Sequence, residues 1–369
     1  MRVAIDTGPL SGGHAVRGIG VMVREEIAAI EKVCKNDKSI SIHPVDFSSK
    51  DLSKYDLVHY PYFFPFKLTL PSKREGKRSI VTIQDLIHLI YPDKYPSGTR
   101  GKINLIKQKQ RLKNIDKIVT ISETSKKDIV RFLGVNADTV EVVHLAPRRV
   151  FKPIKDSKKL GDIKKKYKLP DKFILFVGDI NYNKNVITLI KACKKLKYTL
   201  VIVGKQALEL EKLGSSLQDI HGPRDWIRFL RNEPHPELAH FQELLVEIKE
   251  ADVMRLGFVP DNDLVTIFSL SRVYCQPSFY EGFGLPILEA MACGTPVVAG
   301  RNQAHKEVAG NGCLYANPKS YIDMAKSIKI LCESGKVRSD VISKADKIVS
   351  EYSWDKTARE MIKVYKSVS

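Results

Sequence analysis

Short apolar runs alternate with longer segments of helical periodicity along this chain. The runs are three to five residues long and rich in valine and isoleucine, which is typical of strands buried in a parallel sheet. In the first half they predict strands at 2–6, 57–60, 79–83, 117–121 and 140–143. In the second half they predict strands at 173–177, 199–203, 253–257, 272–276 and 296–298. This alternation indicates an α/β fold with parallel sheets.

Helical periodicity fills many of the intervals between the strands. It predicts helices at 19–33, 186–196, 264–270 and 356–368. A capping pattern, Ser125 with Asp128 three residues later, predicts the start of another helix, and Gly134 predicts its end. Because strands and helices alternate in both halves, we expect two Rossmann-like domains that face each other across a cleft.

Composition shifts predict where these domains begin and end. We assign residues 1–150 to an N-terminal domain and 171–351 to a C-terminal domain, joined by a lysine-rich, proline-flanked linker at 151–170. Residues 352–369 are predicted to form a terminal helix. The stretch from Gly204 to Asp252 is longer than a βα unit needs, so it is interpreted as an inserted helical excursion without an assigned chemical role.

The segment 278–298 carries the most informative chemistry. Gly282 and Gly284 allow a tight turn and a close approach to a ligand, and the helix that follows offers N–H groups to a phosphate. Glu281 precedes this helix and Glu289 lies inside it. Carboxylates do not bind phosphate, so we expect them to accept hydrogen bonds from hydroxyl groups. Phosphate beside a polyol indicates a sugar nucleotide, whereas an ordinary βα turn with surface glutamates is the alternative.

This segment resembles the E-x7-E signature of the retaining glycosyltransferases of family 4, which have the GT-B fold. Glu281 and Glu289 match the two acids, and residues 281–286 match the core of the signature. The resemblance implies that Glu281 contacts hexose hydroxyls and that Glu289 contacts the ribose. It also implies that helix 352–369 crosses back to the first domain. Backbone groups that bind the donor are implied at Gly282, Phe283, Gly284 and Leu285.

The segment 176–185, in which Gly178 follows a predicted strand, resembles the phosphate loop of the same family. Lys184, just before the predicted helix 186–196, is then the ammonium that neutralises the nucleotide diphosphate. The family often has an arginine in this loop, whereas this chain has Asp179 and Asn183 at the corresponding places. Lys205, after the strand 199–203, is the nearest substitute. A solvated lysine is the alternative for Lys184.

The segment 253–264 resembles the part of the family that binds the nucleotide base. Main-chain groups of Gly257, Phe258 and Val259 would contact the base edge. Asp261 and Asp263 match a D-x-D metal pattern, but they precede the predicted helix 264–270 and are interpreted as its N-cap. We therefore expect no metal site and no cofactor, since the helix terminus and a lysine carry the diphosphate.

The first domain holds the expected acceptor side. Gly18 and Gly20 resemble the loop that closes over phosphate and acceptor. Gln84 stands where the family usually has a histidine before Asp85, and glutamine can bind a sugar hydroxyl but cannot transfer a proton. His88 follows as a catalytic candidate or a packed loop histidine. Ser122, at the end of a strand, matches a family serine near the cleft or caps a helix.

Charge adds a possible partner to this prediction. The net charge is +19, and residues 1–170 hold 34 lysines and arginines against 18 acids, whereas the remainder holds 27 against 24. A basic half indicates anionic membrane headgroups, a lipid-linked acceptor or nucleic acid, with a solvated lysine surface as the alternative. No aromatic platform accompanies a basic stripe as in nucleic-acid-binding modules, so nucleic acid is not expected.

Segment 99–119 gives the membrane hypothesis a place. Its lysines and arginine lie among isoleucines and leucines, and the aromatic loop 60–66 is expected nearby. A helix on an anionic leaflet and a core-facing stripe with a solvated lysine face are both consistent with it. The chain has no 18-residue apolar run or charged-then-apolar leader, and its six cysteines are scattered. We therefore expect a cytoplasmic protein, peripheral on the inner face of the cytoplasmic membrane if the membrane reading holds.

Together these observations predict a metal-independent, retaining glycosyltransferase. Its donor would be a GDP- or UDP-sugar and its acceptor the hydroxyl of a glycan or of a polyprenyl-linked sugar. Resemblance to bacterial and archaeal mannosyltransferases of surface polysaccharides favours GDP-mannose, followed by a UDP-hexose. The alternative function is a GT-B-like sugar-nucleotide epimerase or a non-catalytic sugar-nucleotide-binding protein.

Overall fold

A computed structural model describes residues 1–11, 18–35, 37–49, 51–215 and 235–368 of the protein. The chain forms two compact units. The first comprises Met1–Pro92, Pro96–Ala146 and Tyr352–Ser369, and the second comprises Asp93–Tyr95 and Pro147–Glu351. Each unit is built around its own parallel sheet.

The sheet of the first unit has six parallel strands in the order β2-β1-β3-β4-β5-β6. The strands are β1 (Arg2–Asp6), β2 (Ser41–Val45), β3 (Leu57–Tyr60), β4 (Arg78–Thr82), β5 (Lys117–Thr120) and β6 (Val140–Val142). β2 was not predicted because His43 and Pro44 interrupt its apolar run. It is the outermost strand, where a proline is tolerated because one side needs no hydrogen-bond donor.

Helices lie between these strands of the first unit. They are α1 (Gly18–Cys34), α2 (Ile87–Ile90), α3 (Gly98–Leu112) and α4 (Glu123–Leu133). The predicted start of α4 at Ser125 is wrong. Ser122 is the N-cap, because its side chain accepts the N–H of Ser125 at 2.9 Å. Gly134 ends α4 in the left-handed conformation, as predicted.

The sheet of the second unit also has six parallel strands, in the order β12-β11-β10-β7-β8-β9. Its buried apolar strands form the centre of a core to which the helices Val186–Leu196 and Tyr321–Glu333 also contribute. The strands are β7 (Phe173–Val177), β8 (Thr199–Val203), β9 (Val253–Leu256), β10 (Val273–Gln276), β11 (Val297–Gly300) and β12 (Leu314–Ala316).

Helices precede, connect and follow these strands, and the connecting helices lie on the return paths that a parallel sheet requires. They are α5 (Ser157–Lys166), α6 (Val186–Leu196), α7 (Lys205–Leu208), α8 (Leu210–Ser215), α9 (Pro236–Lys249), α10 (Asp261–Leu270), α11 (Leu285–Ala292), α12 (Gln303–Ala309), α13 (Tyr321–Glu333) and α14 (Gly335–Ser350). The predicted linker 151–170 contains α5 and lies within the second unit. The predicted excursion contains α7, α8 and α9, whereas its residues 216–234 lie outside the described residues.

The last helix, α15 (Trp354–Ser367), belongs to the first unit and packs against α1. The Tyr365 hydroxyl lies 2.9 Å from Nδ1 of the buried His59, and Thr357 donates to the His144 carbonyl at 2.7 Å. Lys32 of α1 forms an ion pair with Asp355 at 3.0 Å. Within the described ranges, no helix combines the length and the hydropathy that crossing a bilayer requires.

Candidate active site

Two neighbouring strands of the second unit bring the main candidate residues together. β10 pairs with β7, so the loops after their carboxyl ends leave the sheet side by side. The Phe279 N–H of one loop donates to the Asn183 carbonyl of the other at 2.9 Å. Lys184 and Glu281 therefore meet, although 97 residues separate them.

Glu281 is a buried carboxylate with a dense set of donors. Its Oε1 accepts from Ser278 Oγ at 2.6 Å and from Gln276 Nε2 at 2.8 Å. Lys184 Nζ lies 2.8 Å from both carboxylate oxygens. Burial is the largest single effect and would raise the pKa of Glu281. The nearby charges, Lys184 first, and the hydrogen bonds from Lys184 and Ser278 together outweigh burial, so the pKa lies below its usual value. Glu281 is thus a fixed anion at neutral pH.

The glycine loop turns sharply into helix α11. Gly284 has φ +105°, a conformation that L side chains rarely adopt, and a Cβ there would approach the His305 ring at 3.2 Å. The loop residues Gly282 and Phe283 are buried, whereas Leu285 at the first turn is half-buried. Backbone groups of the loop therefore surround the N-terminus of α11, and a helix N-terminus stabilises anions.

His305 was not predicted and lies directly beside this loop. Its Nδ1 is 2.8 Å from the Gly300 carbonyl, so this nitrogen carries the proton. Burial lowers the pKa of His305 to about 4. The imidazole is therefore neutral at pH 7, and its buried Nε2 has no hydrogen-bond partner among the described residues.

Glu289 lies on α11 and is held by an arginine that sequence analysis did not identify. Arg148 Nε donates to Glu289 Oε1 at 2.6 Å, and its Nη1 donates to Asp261 Oδ1 at 2.5 Å. The guanidinium carbon lies 4.4 Å from the centroid of the Phe151 ring. Glu289 is 2% exposed, and its contact with a ribose stays a prediction. Arg148 gave no sequence signal because its partners lie more than 110 positions away.

Asp261 and Asp263 are not the N-cap of a helix that starts at Leu264. Helix α10 begins at Asp261, both acids lie in its first turn, and Pro260 is the N-cap. Asp263 accepts from Lys166 at 2.6 Å and from Tyr167 at 2.7 Å. The two carboxylates of the D-x-D pattern therefore bind cations of this chain.

The remaining donor candidates lie at the carboxyl ends of β8 and β9. Lys205 opens α7, and its Nζ lies 3.9 Å from the Glu209 carboxylate. Gly257 is half-buried, Val259 is buried and Phe258 is 58% exposed. Open parallel sheets bind ligands at this edge, which is consistent with base binding. The contact of these residues with the base stays a prediction.

The candidates of the first unit are engaged in local structure. Gln84 Nε2 donates to the Pro61 carbonyl at 2.7 Å, and Asp85 accepts the Ile87 N–H at 3.1 Å. The His88 ring packs against Phe64 with centroids 4.8 Å apart, and burial lowers the pKa of His88 to about 4. The first unit thus offers a neutral imidazole rather than a cationic acid at this position.

The other first-unit candidates also lie at helix starts. Ser122 is fully buried and caps α4. Gly18 and Gly20 open α1, the former exposed and the latter buried. The structure neither adds to nor removes their predicted contacts with substrate.

Family models cover both units of the chain. Residues 161–348 match the model described as Glycosyl transferases group 1, and residues 44–146 match the model described as Glycosyltransferase Family 4. The chain belongs to the glycosyl transferases group 1 family. It is therefore a glycosyltransferase, as the E-x7-E segment predicted.

Curated relatives carry mannosyltransferase names. The chain is 26% identical to O-antigen chain mannosyltransferase B of Escherichia coli over 326 residues, which cover 86% of this chain and 75% of that protein. It is 25% identical to the serotype-specific mannosyltransferase WbdA of Escherichia coli over 309 residues. That match covers 82% of this chain but 36% of WbdA.

Solved structures show the same fold at lower identity. Sucrose-phosphate synthase of Thermosynechococcus elongatus has a TM-score of 0.68 and 18% identity, covering 100% of this chain and 98% of that chain. Anabaena HepE, solved with UDP and glucose, has a TM-score of 0.66 and 14% identity, with 100% of both chains covered. The predicted GT-B fold is confirmed.

Proposed function

We propose that this glycosyltransferase transfers mannose, with retention at the anomeric carbon, from GDP-mannose to a hydroxyl of a glycan acceptor. The observation that carries the proposal is the Glu281 carboxylate, fixed by Lys184, Ser278 and Gln276 beside the glycine loop of α11. An oriented carboxylate can accept hydrogen bonds from sugar hydroxyls, and the N–H groups at the start of the helix can bind phosphate. The names of the relatives support mannose and a polysaccharide acceptor.

The proposed reaction is a front-face displacement. The bond between the anomeric carbon and the phosphate oxygen breaks, and the acceptor oxygen bonds to the same face of that carbon. The acceptor proton passes to the departing phosphate oxygen. Lys184 and the N–H groups of Gly284 and Leu285 stabilise the leaving diphosphate, so catalysis is mainly electrostatic and positional.

The decisive assay separates donor, transfer and stereochemistry. GDP-mannose, UDP-glucose and related nucleotide sugars are first screened for thermal stabilisation of the protein. Nucleotide release with polyprenyl-linked acceptors then reports transfer, and NMR of the product reports the anomeric configuration. A product of inverted configuration contradicts the retaining mechanism, and stabilisation by UDP-sugars alone contradicts the GDP-mannose assignment.

The same assay tests the alternative function. An epimerase or a non-catalytic sugar-nucleotide-binding protein would bind the nucleotide sugar but form no glycosidic product. Interconversion of the donor sugar without acceptor would identify the epimerase. The relatives' names favour transfer.

We further propose that helix α3 contacts an anionic membrane that carries the acceptor. Ile103 and Ile106 are 53% and 59% exposed, whereas Gly101, Gln108 and Leu112 form the buried face of the helix. Helical spacing places Lys102 and Lys109 on one side of the two isoleucines and Lys107 on the other. This exposed face favours the membrane reading over a core-facing stripe.

Neighbouring features extend this face. The aromatic loop lies beside α3, because Asn104 and Gln108 donate to the Phe66 and Phe64 carbonyls at 2.9 and 3.1 Å. Leu68 is exposed as well. Each cation near an anionic surface contributes about 1 kcal/mol at low salt.

Vesicle sedimentation tests the membrane contact. The protein should pellet with phosphatidylglycerol vesicles at low salt and be released by high salt. Lys102, Lys107 and Lys109 are changed to glutamate together. Arg111 is left intact because it donates to the Leu70 carbonyl. Ile322→Asp removes an equally exposed isoleucine of the second unit and is the control. If the triple variant and the wild type pellet equally, the lysines of α3 do not bind the membrane and the proposed contact is wrong.

A further inference from the structure

A three-residue segment fixes a lysine to the proposed phosphate loop. Asp93–Tyr95 lies in the second unit, although the residues on either side belong to the first. The Tyr95 hydroxyl donates to Asn183 Oδ1 at 2.8 Å and lies 3.2 Å from the Asn183 N–H. Both residues are buried. The segment is therefore anchored one residue before Lys184.

Asn183 is an anchor and not a ligand group. Besides the two bonds to Tyr95, its Nδ2 donates to the Tyr280 carbonyl at 3.3 Å, and its own carbonyl accepts the Phe279 N–H at 2.9 Å. All of its polar groups are engaged within the unit, and it is 4% exposed. A substrate phosphate cannot draw on Asn183 without breaking this network.

Lys94, in the middle of this segment, packs against the turn Tyr182–Lys184. Its Nζ lies 4.7 Å from the centroid of the Tyr182 ring, a distance at which a cation is attracted to an aromatic face. The Tyr182 ring in turn packs against Phe279 and His240, with centroids 5.4 and 5.9 Å apart. Tyr182 and Lys184 begin and end one 3-10 turn. Across the described part of the chain, Lys94 has no carboxylate at ion-pair distance.

The charge of the site calls for such a second cation. Lys184 is engaged by both oxygens of Glu281, so this pair has no net charge. A sugar nucleotide carries about two negative charges on its diphosphate, and its departure concentrates more charge on the terminal phosphate. Lys184 alone therefore leaves the leaving group under-compensated.

Other cations at this edge of the sheet are less well placed. Lys205 is exposed and lies near Glu209. Arg301 is exposed at the end of β11. Neither has a contact among the described residues that fixes it to the turn 182–184, whereas Lys94 is fixed by the Tyr182 ring and by its neighbour Tyr95.

We infer that Lys94 supplies the second positive charge that binds the diphosphate of the donor. The inference rests on the proposed function, since it assigns a ligand to the Glu281–Lys184 site. Lys94 would contact the phosphates directly, and Tyr95 would act as a positioning residue that holds the segment on the loop.

Calorimetric binding of GDP and GMP to the full chain tests this role, and UDP and UMP are used if the protein prefers uridine. Lys94→Gln should weaken diphosphate binding by roughly 10- to 100-fold, the loss expected for one charge-assisted contact. Monophosphate binding should change by much less. Lys94→Arg should restore most of the affinity because it restores the charge. Tyr95→Phe, which keeps the lysine, should give a smaller loss.

Two further variants and the wild type separate the outcomes. Lys336→Gln changes an exposed lysine on α14 and should bind GDP as the wild type does. If Lys94→Gln binds GDP with wild-type affinity, or if Lys205→Gln shows the loss instead, the inference is wrong. A wild-type protein that binds neither GDP nor UDP overturns the proposed function itself, and the role of Lys94 with it.

Discussion

Glu281 and Glu289 belong to one signature but have different surroundings. Glu281 is paired with Lys184 and held by two side-chain donors. Glu289 is paired with Arg148. These partners give the two acids different predicted roles, one at the sugar that reacts and one at the ribose.

Glu281→Gln should lower kcat by roughly 10- to 1000-fold with little change in the donor KM. The amide keeps the shape but removes the charge that, in the proposed mechanism, faces the reacting sugar. Glu289→Gln should mainly raise the donor KM, because the ribose is distant from the bond that breaks. Steady-state kinetics with GDP-mannose measures both. Equal, purely KM-level effects of the two substitutions would contradict these roles.

Arg148→Ala should destabilise the protein by about 3–5 kcal/mol. The substitution leaves the buried Glu289 carboxylate without its cation and removes the guanidinium from Phe151. Urea unfolding measures the loss. Arg359 is exposed on α15, so Arg359→Ala is the matched control and should stay within about 0.5 kcal/mol of the wild type. Similar losses for both variants would show that the buried pair does not stabilise the fold.

The sequence pattern identified the two acids, but it identified neither Arg148 nor the residues that anchor the phosphate loop. The glycines, prolines and acids of 281–289 are contiguous, so their pattern could be recognised. Arg148, Asn183 and Lys94 act through contacts with residues 88 to 141 positions away. No local pattern predicts such a contact, and a single arginine or lysine in a lysine-rich chain carries no signal.

At the scale of elements, α1 presents a buried acid towards helix α15. Glu26 is 5% exposed, and its Oε1 has no hydrogen-bond partner among the described residues. Burial raises the pKa of Glu26 to about 7. Its charge also contributes to raising the pKa of Tyr365 of α15, after burial. Folding therefore favours a protonated Glu26.

The stability of the protein should therefore fall as pH rises from about 4.5 to 7 through this group. In that window the unfolded chain releases the Glu26 proton while the folded chain keeps it. The free energy of unfolding therefore falls by about 1.4 kcal/mol per pH unit. Glu26→Gln stays neutral at every pH. It should stabilise the protein by about 2 kcal/mol more at pH 8 than at pH 5, measured by urea unfolding.

A control on the same helix isolates this effect. Glu31 is exposed on α1, and the effect of Glu31→Gln should be the same at both pH values. A pH-independent difference between Glu26→Gln and the wild type would show that Glu26 is already ionised in the folded protein.

Elements were predictable where one rule dominated. Ten strands could be located because buried parallel strands are continuous apolar runs. β2 could not, since an edge strand accepts polar residues and a proline, and β12 has only three residues. Helix starts were the least certain, because Ser122 and Ser125 are equally good caps until the backbone of Ser122 is known to be extended.

At the scale of the whole molecule, we proposed that residues of this chain neutralise the diphosphate of the donor, and this proposal predicts how the protein responds to metal removal. Lys184 and the start of α11 lie at the site, and Asp261 and Asp263 bind Arg148 and Lys166. We expect full transferase activity after treatment with EDTA. Activity that is lost on chelation and restored by Mn²⁺ or Mg²⁺ would contradict the metal-independent mechanism.

Helix α15 also has a consequence for how the protein is made. It belongs to the first unit but follows residues 147–351 in the chain, so a ribosome at 5–20 residues per second delivers it roughly 10 to 40 s after β6. During that interval the face of α1 that packs against α15 remains uncovered. The nascent first unit is then a natural client for chaperones, and it completes its fold only after the second unit has emerged.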